Sequence, residues 1–533
     1  MAVTTDGNVT RTAPSVSVRA APATTARLRD DSRTTIIFAT ALVAIAVAAA
    51  FLRVWRINGL GFNSDEAVYA GQAAALANNV DLKPFFPIFR AHPLLFQTVL
   101  SLSYRMGGGD LEARLLAVAT GLATVYLVFA TAKLLYGRKA GLAAALFISL
   151  MPYHIIVTRQ VLLDGPMVMF ATLSLYAVAR YATTGRGSWL YIAGAAVGLT
   201  IISKETGGLL LGAVYVFLAL SRSLRVRIRD IAISLFVTVI VVIPYPLAIL
   251  LSGKSSTGGN YLTWQLFRPP NHGLLFYPEN VPQAMGYLVI AAAAAGLWLH
   301  RRDRSWRETL LVAWIAVPVV FFELWPVKGF QYLLPIAPAM AILAGRTVGN
   351  WSPGAAVRVM GISLKASACA MFAVVVIAAS LLIPAWNGIQ PSESDEFLAG
   401  SGGVPGGREA GLWVDAHVPA GTTMLALGPS MANIIQFYGH RKVYGLSVSP
   451  NPQHRNPSYE AVTNPDRALR NNEIQYVIWD AFSASRSSFF SDSLLRYVAR
   501  YHGSVVHEES VSARDADGSE IRKPIIIIYE VRS

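Results

Sequence analysis

The sequence predicts a polytopic α-helical membrane protein of about 11 transmembrane helices, followed by a small extracytoplasmic α/β domain at its C-terminal end. Three observations carry that prediction. Hydrophobic residues make up 54% of the 533-residue chain and charged residues only 14%, where soluble domains carry about a quarter charged. The apolar residues are gathered into blocks of about 20, the length that crosses roughly 30 Å of hydrocarbon. Beyond residue 386 these blocks cease, and short apolar runs alternate with helical stretches.

Residues 1–34 are rich in Thr, Ala and Arg and read as a disordered cytoplasmic tail. The run "TIIFATALVAIAVAAAFLRVW" is too long for a signal-peptide core and lacks a clean small-residue cleavage site, so it reads as a retained span. Spans are expected at 35–55, 113–135, 140–157, 165–182, 188–203, 206–221, 231–251, 283–299, 309–324, 330–346 and 366–386. Between the first two lies a large outer loop, 56–112. No internal repeat is apparent, and no paired helices broken at Gly or Pro, the mark of many secondary transporters, are expected.

The Gly/Ser/Pro-rich stretch "PSESDEFLAGSGGVPGGREAG" makes residues 387–410 a linker. The domain at 411–533 then reads strand ("TMLAL"), helix ("PSMANIIQFYG"), strand ("KVYGL"), strand ("IQYVIWD"), helix ("DSLLRYVARYH") and strand ("PIIIIYEV"). That alternation predicts a partly parallel sheet and a docking or acceptor-recognition module. The single cysteine, Cys369, falls in the last span, so no intramolecular disulfide is available.

Orientation follows from Lys/Arg bias. Arg11, Arg19, Arg27, Arg29 and Arg33 precede the first span, and Arg222, Arg225, Arg227 and Arg229 fill one later loop. Arg301, Arg302, Arg304 and Arg307 fill another, on the same side under the eleven-span reading. That side is expected to be the cytoplasm. The net charge of +14 is therefore mostly a topology signal, and no nucleic-acid partner is implied.

The chemistry is expected on the opposite face. In "GFNSDEAVYAGQA", Asn63 can cap a helix, with Glu66 three residues on reaching back. Asp65 then sits in the first turn near the positive end of the helix dipole, which favours an ionised carboxylate able to accept a proton from a hydroxyl. If capping were the whole task of Glu66, Gln would replace it at little cost. Other loops bring ionisable groups to the same face. "IFRAHPLLF" supplies Arg90 and His92, "HIIVTRQVLLDGP" supplies Arg159 and Asp164, and "ISKETGG" supplies Lys204 and Glu205. "FRPPNHGLLFYPENVP" supplies Arg268 and His272, and "WPVKGFQYLLPIAP" supplies Lys328 and Tyr332. Ionisable groups at membrane depth are costly and mark functional paths. Lys204, Arg159, Arg268 and Lys328 form the candidate phosphate-binding set; for each cation alone, snorkelling at a helix end is the rival role. Asp65, Glu66 and Asp164 are the candidate catalytic acids, and Tyr69, His92, His272 and Tyr332 complete the candidate substrate-binding set.

Several of these stretches, "NSDEAVYAGQA", "HPLLF", "EARLLAVATGL", "SLMPYHIIVTRQVLLDGP", "TIISKETGG" and "KGFQYLLPIAPAMAIL", resemble the GT-C glycosyltransferases, in the branch of protein O-mannosyltransferases and the lipid A aminoarabinose transferase. The resemblance implies an inverting transferase at the cytoplasmic membrane that uses a polyprenyl-phosphate sugar and a glycan, lipid or protein acceptor. It places the catalytic aspartate at Asp65, a second-loop acid at Asp164 and the phosphate-binding lysine at Lys204. The tail beyond 390 does not resemble the sugar-binding modules of the eukaryotic members. A divalent metal is not required, although Asp65 and Glu66 are the pair that would hold one. The alternative is a flippase for a lipid-linked sugar, which needs the cations but no base.

Overall fold

The computed structural model describes residues 24–89, 92–254, 260–261, 263–265, 267–302, 304–349, 356–359, 362–390, 403–451, 455–456, 459–514 and 519–532. Arg90 and much of the expected linker lie outside the described residues.

Each of the eleven expected stretches is helical over most of its length. The bundle comprises α1 (Thr24–Val54), α4 (Asp110–Tyr136), α5 (Arg138–Leu150), α6 (Pro152–Thr158), α7 (Asp164–Thr184), α8 (Gly187–Ser203) and α9 (Leu209–Leu220). It continues with α10 (Ile228–Val242), α11 (Pro244–Leu251), α12 (Phe276–Met285), α13 (Tyr287–Leu299), α14 (Trp306–Leu324), α15 (Ala337–Gly349) and α16 (Ala366–Gly388). The first outer loop adds α2 (Ser64–Leu76) and α3 (Leu95–Arg105). Among the described residues, five helices are long and apolar enough to cross a membrane alone, and up to seven if each bent pair is one span. Gly187–Ser203 and Glu205–Leu220 are apolar but shorter.

Two expectations need correction. Helix α1 starts at Thr24, inside the expected disordered tail, because no helix breaker separates that stretch from the apolar run. Two helices are broken where none was expected. The chain bends by 61° between α5 and α6, where Pro152 has no N–H to continue the ladder, and by 94° between α12 and α13. There Gly286 adopts φ 91°, open to glycine at little cost. A short antiparallel hairpin, β1 (Ala356–Val359) and β2 (Ile362–Lys365), precedes α16.

The outer domain holds α17 (Gly407–His417), β3 (Thr423–Ala426), α18 (Pro429–Gly439), β4 (Lys442–Gly445), α19 (Pro465–Arg470), β5 (Tyr476–Asp480), α20 (Ala481–Arg486), α21 (Ser488–Arg500), β6 (Ser504–Arg514) and β7 (Glu520–Glu530). Its sheet runs β4-β3-β5-β7-β6. The first three strands are parallel, and β7 is antiparallel to both neighbours, so the sheet is partly parallel as the alternation predicts. Strand β6 was not legible because "SVVHEESVSAR" carries too many charged and small residues to look like a strand; its long pairing with β7 makes it one.

The domain docks on the first outer loop through α18. Phe437 packs its ring 5.2 Å from Phe62 and 6.2 Å from Phe86, both fully buried. Burying each such ring contributes about 1.5–3 kcal/mol. Gly71 lets Phe86 lie directly on α2, since a Cβ there would come within 2.3 Å of the ring. The backbone N–H of Phe62 donates to Tyr438 Oη at 2.8 Å, and that hydroxyl donates to Asp110 at 2.6 Å. Asn433 donates to Ser64 Oγ at 3.0 Å, one residue before Asp65. The domain is thus clamped to the helix that carries the candidate base.

Candidate active site

The start of α2 forms as its sequence dictates. Asn63 Oδ1 accepts from the N–H groups of Asp65 and Glu66, both at 3.0 Å, and the N–H of Asn63 donates to Glu66 Oε2 at 3.1 Å. This reciprocal box satisfies amides a helix start otherwise leaves open. It also sends the two acids in different directions. Asp65 opens onto a cavity of about 470 Å³, whereas Glu66 points inward and is fully buried.

The same cavity gathers Tyr69, His92, Asp164, Lys204, Arg268, Lys328 and Tyr332, so residues from six separated stretches of the chain do share one face. Its size falls within the 300–1,000 Å³ typical of ligand pockets. Lys204 ends α8 in extended backbone (φ −154°, ψ 129°), where successive side chains point to opposite sides. Its ammonium donates to both Asp164 oxygens, at 2.8 and 2.9 Å, and lies 5.3 Å from the Tyr332 ring centroid. The next side chain, Glu205, turns the other way, and both its oxygens lie within 3.1 Å of His92 Nδ1. His92 Nε2 is 3.3 Å from Tyr261 Oη, so the first outer loop is tied to the 252–282 loop across the cavity edge. Arg268 stacks its guanidinium 4.7 Å over Trp264 and has no carboxylate partner among the described residues.

Although the Asp65 side chain is exposed to the cavity, the mass of protein around it desolvates the carboxyl and holds it above the usual carboxylate range, against the pull of Lys204 and His92; Asp164 and Glu66 push it further up. The sequence reading weighed only the helix dipole, which favours the ionised form. The surroundings act in the opposite direction and raise the proton affinity a base needs.

Several candidates are not brought into the site. Glu66 is held by Arg114, whose Nε and Nη2 donate to its two oxygens at 2.9 and 2.8 Å, and by the N–H of Val161 at 3.0 Å. Its carboxylate is saturated and cannot join a reaction in the cavity. For the same reason the residues do not fit a metal shared by Asp65 and Glu66, and among the described residues no three His, Cys, Asp or Glu groups converge as metal ligands do. Arg159 donates to the carbonyls of Ile389 at 3.1 Å and Trp55 at 2.6 Å, pinning the end of α16 to the end of α1 rather than facing a phosphate. His272 is exposed and stacked on Phe276 at 4.1 Å. Its neighbour Asn271 does the local work by holding the Lys328 backbone with two bonds of 2.8 Å. Lys328 lines the cavity, but its ammonium donates to the carbonyls of Phe322 and Glu323 at the C-terminus of α14, where a cation is favoured.

Sequence reasoning missed other wall residues. Tyr261, Trp264 and Gln265 come from the 252–282 loop, and Ser447, Ser449, Arg455, Asn456 and Tyr459 come from the outer domain. An aromatic pair spaced i, i+3 in an outer loop was the signal available for the first group. The second group carries no local signal, because only the docking of α18 brings it to the cavity.

The fold matches known structures over nearly the whole chain. ArnT from Cupriavidus metallidurans in the apo state matches with a TM-score of 0.66 at 15% identity, covering 94% of this chain and 98% of that one. The chain shares the GT-C fold of that structure. The form of that ArnT bound to undecaprenyl phosphate matches with a TM-score of 0.62 at 15% identity, covering 93% of this chain and 98% of the other. The archaeal oligosaccharyltransferase AglB from Archaeoglobus fulgidus, in complex with an inhibitory peptide and a dolichol-phosphate, shares the GT-C fold at a TM-score of 0.57 and 12% identity, over 92% of this chain and 74% of that one.

At the level of sequence, the family model described as dolichyl-phosphate-mannose-protein mannosyltransferase matches residues 91–249. That stretch holds His92, Asp164 and Lys204 but begins after Asp65. An undecaprenyl phosphate-alpha-4-amino-4-deoxy-L-arabinose arabinosyl transferase from Serratia proteamaculans (strain 568) is 27% identical over 246 residues, 42% of this chain and 43% of that protein. The sequence match thus spans less than half of either chain, and the GT-C fold is what extends it.

Proposed function

We infer that this protein is an inverting glycosyltransferase that moves one sugar from a polyprenyl-phosphate donor to an acceptor hydroxyl at the outer face of the cytoplasmic membrane. The observation that carries the reading is the single cavity in which the Asp65 carboxylate, the Lys204–Asp164 pair and Arg268 meet at the seam between bundle and outer domain. The GT-C fold and its undecaprenyl-phosphate-bound neighbour support the donor class.

In this mechanism Asp65 takes the proton of the acceptor hydroxyl as the acceptor oxygen bonds to the anomeric carbon. The bond from that carbon to the phosphate oxygen breaks on the opposite side, and its electron pair leaves on the polyprenyl phosphate. Negative charge therefore builds on the phosphate, where Arg268 and the ammonium of Lys204 stabilise it. Asp164 holds Lys204 in place by two hydrogen bonds. The sugar and the acceptor class are left open by these residues.

The orientation that goes with this reading puts the N-terminus and the Arg222–Arg229 loop in the cytoplasm. Purified protein in lipid, incubated with radiolabelled polyprenyl-phosphate sugars and candidate acceptors, should transfer label to an acceptor. Transbilayer movement of the donor without transfer would replace the enzyme reading by a flippase.

A further inference from the structure

Part of the cavity wall belongs to the outer domain. Pro429 follows β3 and Ser447 follows β4, and because these strands are parallel their carboxyl ends open on one edge of the sheet. That edge lines the cavity containing Asp65. In open α/β sheets, ligands bind in the crevice beyond the carboxyl ends of the strands.

The cations in the cavity divide by how they are neutralised. Lys204 is paired with Asp164, and Lys328 is paired with the Glu323 carboxylate at 3.7 Å and held by helix-end carbonyls. Arg268 and Arg455 have no carboxylate partner among the described residues. The one side-chain hydrogen bond of Arg455 among those residues goes to the Pro450 carbonyl, at 3.2 Å. A single leaving phosphate accounts for Arg268, which comes from the bundle beside Lys204 and Tyr332. A second cation, supplied by a different domain, offers a place for a second anion. Around it the wall is built of the Ser447 and Ser449 hydroxyls, the Asn456 amide and the Tyr459 ring, groups suited to sugar hydroxyls and sugar faces rather than to an apolar chain.

Resting on the glycosyl-transfer reading above, we propose that the strand-end crevice of the outer domain is the acceptor subsite, and that Arg455 selects an acceptor glycan bearing an anionic group, a carboxylate or a phosphate. Arg455 acts by binding and takes no proton.

The test uses the full chain in lipid nanodiscs with two radiolabelled probes, octyl glucuronide and octyl glucoside, which differ by one carboxylate. Undecaprenyl phosphate affinity is measured in parallel. Wild type should prefer the glucuronide by about ten- to a hundredfold, the range of one charged hydrogen bond. Arg455→Gln should abolish that preference and Arg455→Lys should keep part of it, with undecaprenyl phosphate affinity unchanged in both. Equal binding of the two glycosides by wild type, or a preference that survives Arg455→Gln, overturns the proposal. So does a drop in undecaprenyl phosphate affinity in Arg455→Gln, which would assign the arginine to the donor. Displacement of the glucuronide by a Glu-rich peptide but not by glucuronic acid would overturn the glycan assignment. If wild type discriminates the glycosides but ignores undecaprenyl phosphate, the transferase reading fails and the subsite stands.

Discussion

Replacing Glu66 by Gln is expected to cost about 3–5 kcal/mol of stability, well beyond the ~1 kcal/mol of an ordinary helix cap. The magnitude follows from its surroundings. The carboxylate accepts from Asn63 N–H, Val161 N–H, Arg114 Nε and Arg114 Nη2, all within 3.1 Å, and both side chains of the pair are at most 1% exposed. A glutamine keeps one accepting oxygen, turns an NH2 toward donors, and removes the carboxylate charge that Arg114 Nε and Nη2 meet. Arg114 also donates to the carbonyls of Ile57, Leu60 and Gly61, so the loop leading into α2 loosens with it. The assay is equilibrium unfolding of the detergent-solubilised protein for Glu66→Gln, Arg114→Met and the double variant Glu66→Leu/Arg114→Met. Each single change should destabilise strongly, and the double change should cost less than their sum, because an apolar pair leaves no charge stranded. Glu66→Gln unfolding within ~0.5 kcal/mol of wild type would refute the reasoning.

The remaining predictions concern charges in and around the site. Lys204→Ala should weaken undecaprenyl phosphate binding about ten- to a hundredfold, the range of one charged hydrogen bond. Asp164→Asn should rescue the folding of that variant but not its affinity, and donor titrations of both separate the two roles. Arg159→Met should lower thermal stability while leaving donor affinity intact, since its bonds go to Ile389 and Trp55 carbonyls; a donor-binding defect in a folded variant would return it to the phosphate site. In the outer domain, burial pushes the Asp480 carboxyl from 3.8 to about 6, and its Oδ2 has no hydrogen-bond partner among the described residues. A carboxyl raised in the folded state stabilises the fold when protonated, below pH ~4, and that contribution, about 3 kcal/mol, is lost as pH rises through the folded value. Stability of wild type should therefore fall between pH 4 and 7 in a way that Asp480→Asn flattens, read by unfolding at each pH.

The helical bundle was legible because apolar blocks of span length have few other fates in an aqueous world, and the outer domain because "TMLAL" and "PIIIIYEV" offer no other reading than strands. Asp65 was legible from its capping context, Asn63 and Glu66, which is a local signal. What stayed hidden depends on tertiary contacts. Arg159 and Arg268 look alike in sequence, but one meets two backbone carbonyls and the other an open cavity. Glu66 looked like the partner of Asp65, yet the helix turn sends adjacent side chains apart and the distant Arg114 captures it. The bends at Pro152 and Gly286 followed from known residue chemistry, but each lay inside an apolar run whose length suggested a single straight helix.

The most direct test of the account compares sugar transfer with donor affinity in one preparation of Asp65→Asn. The substitution keeps the side-chain shape and leaves the Asn63–Glu66 box untouched, because Asp65 contributes only its backbone N–H to that box. It removes the proton acceptor, and general-base catalysis typically contributes 10²–10⁴-fold. The account predicts transfer reduced by about that factor, with undecaprenyl phosphate affinity and unfolding unchanged. Transfer at the wild-type rate by a protein with Asn at this position would contradict it.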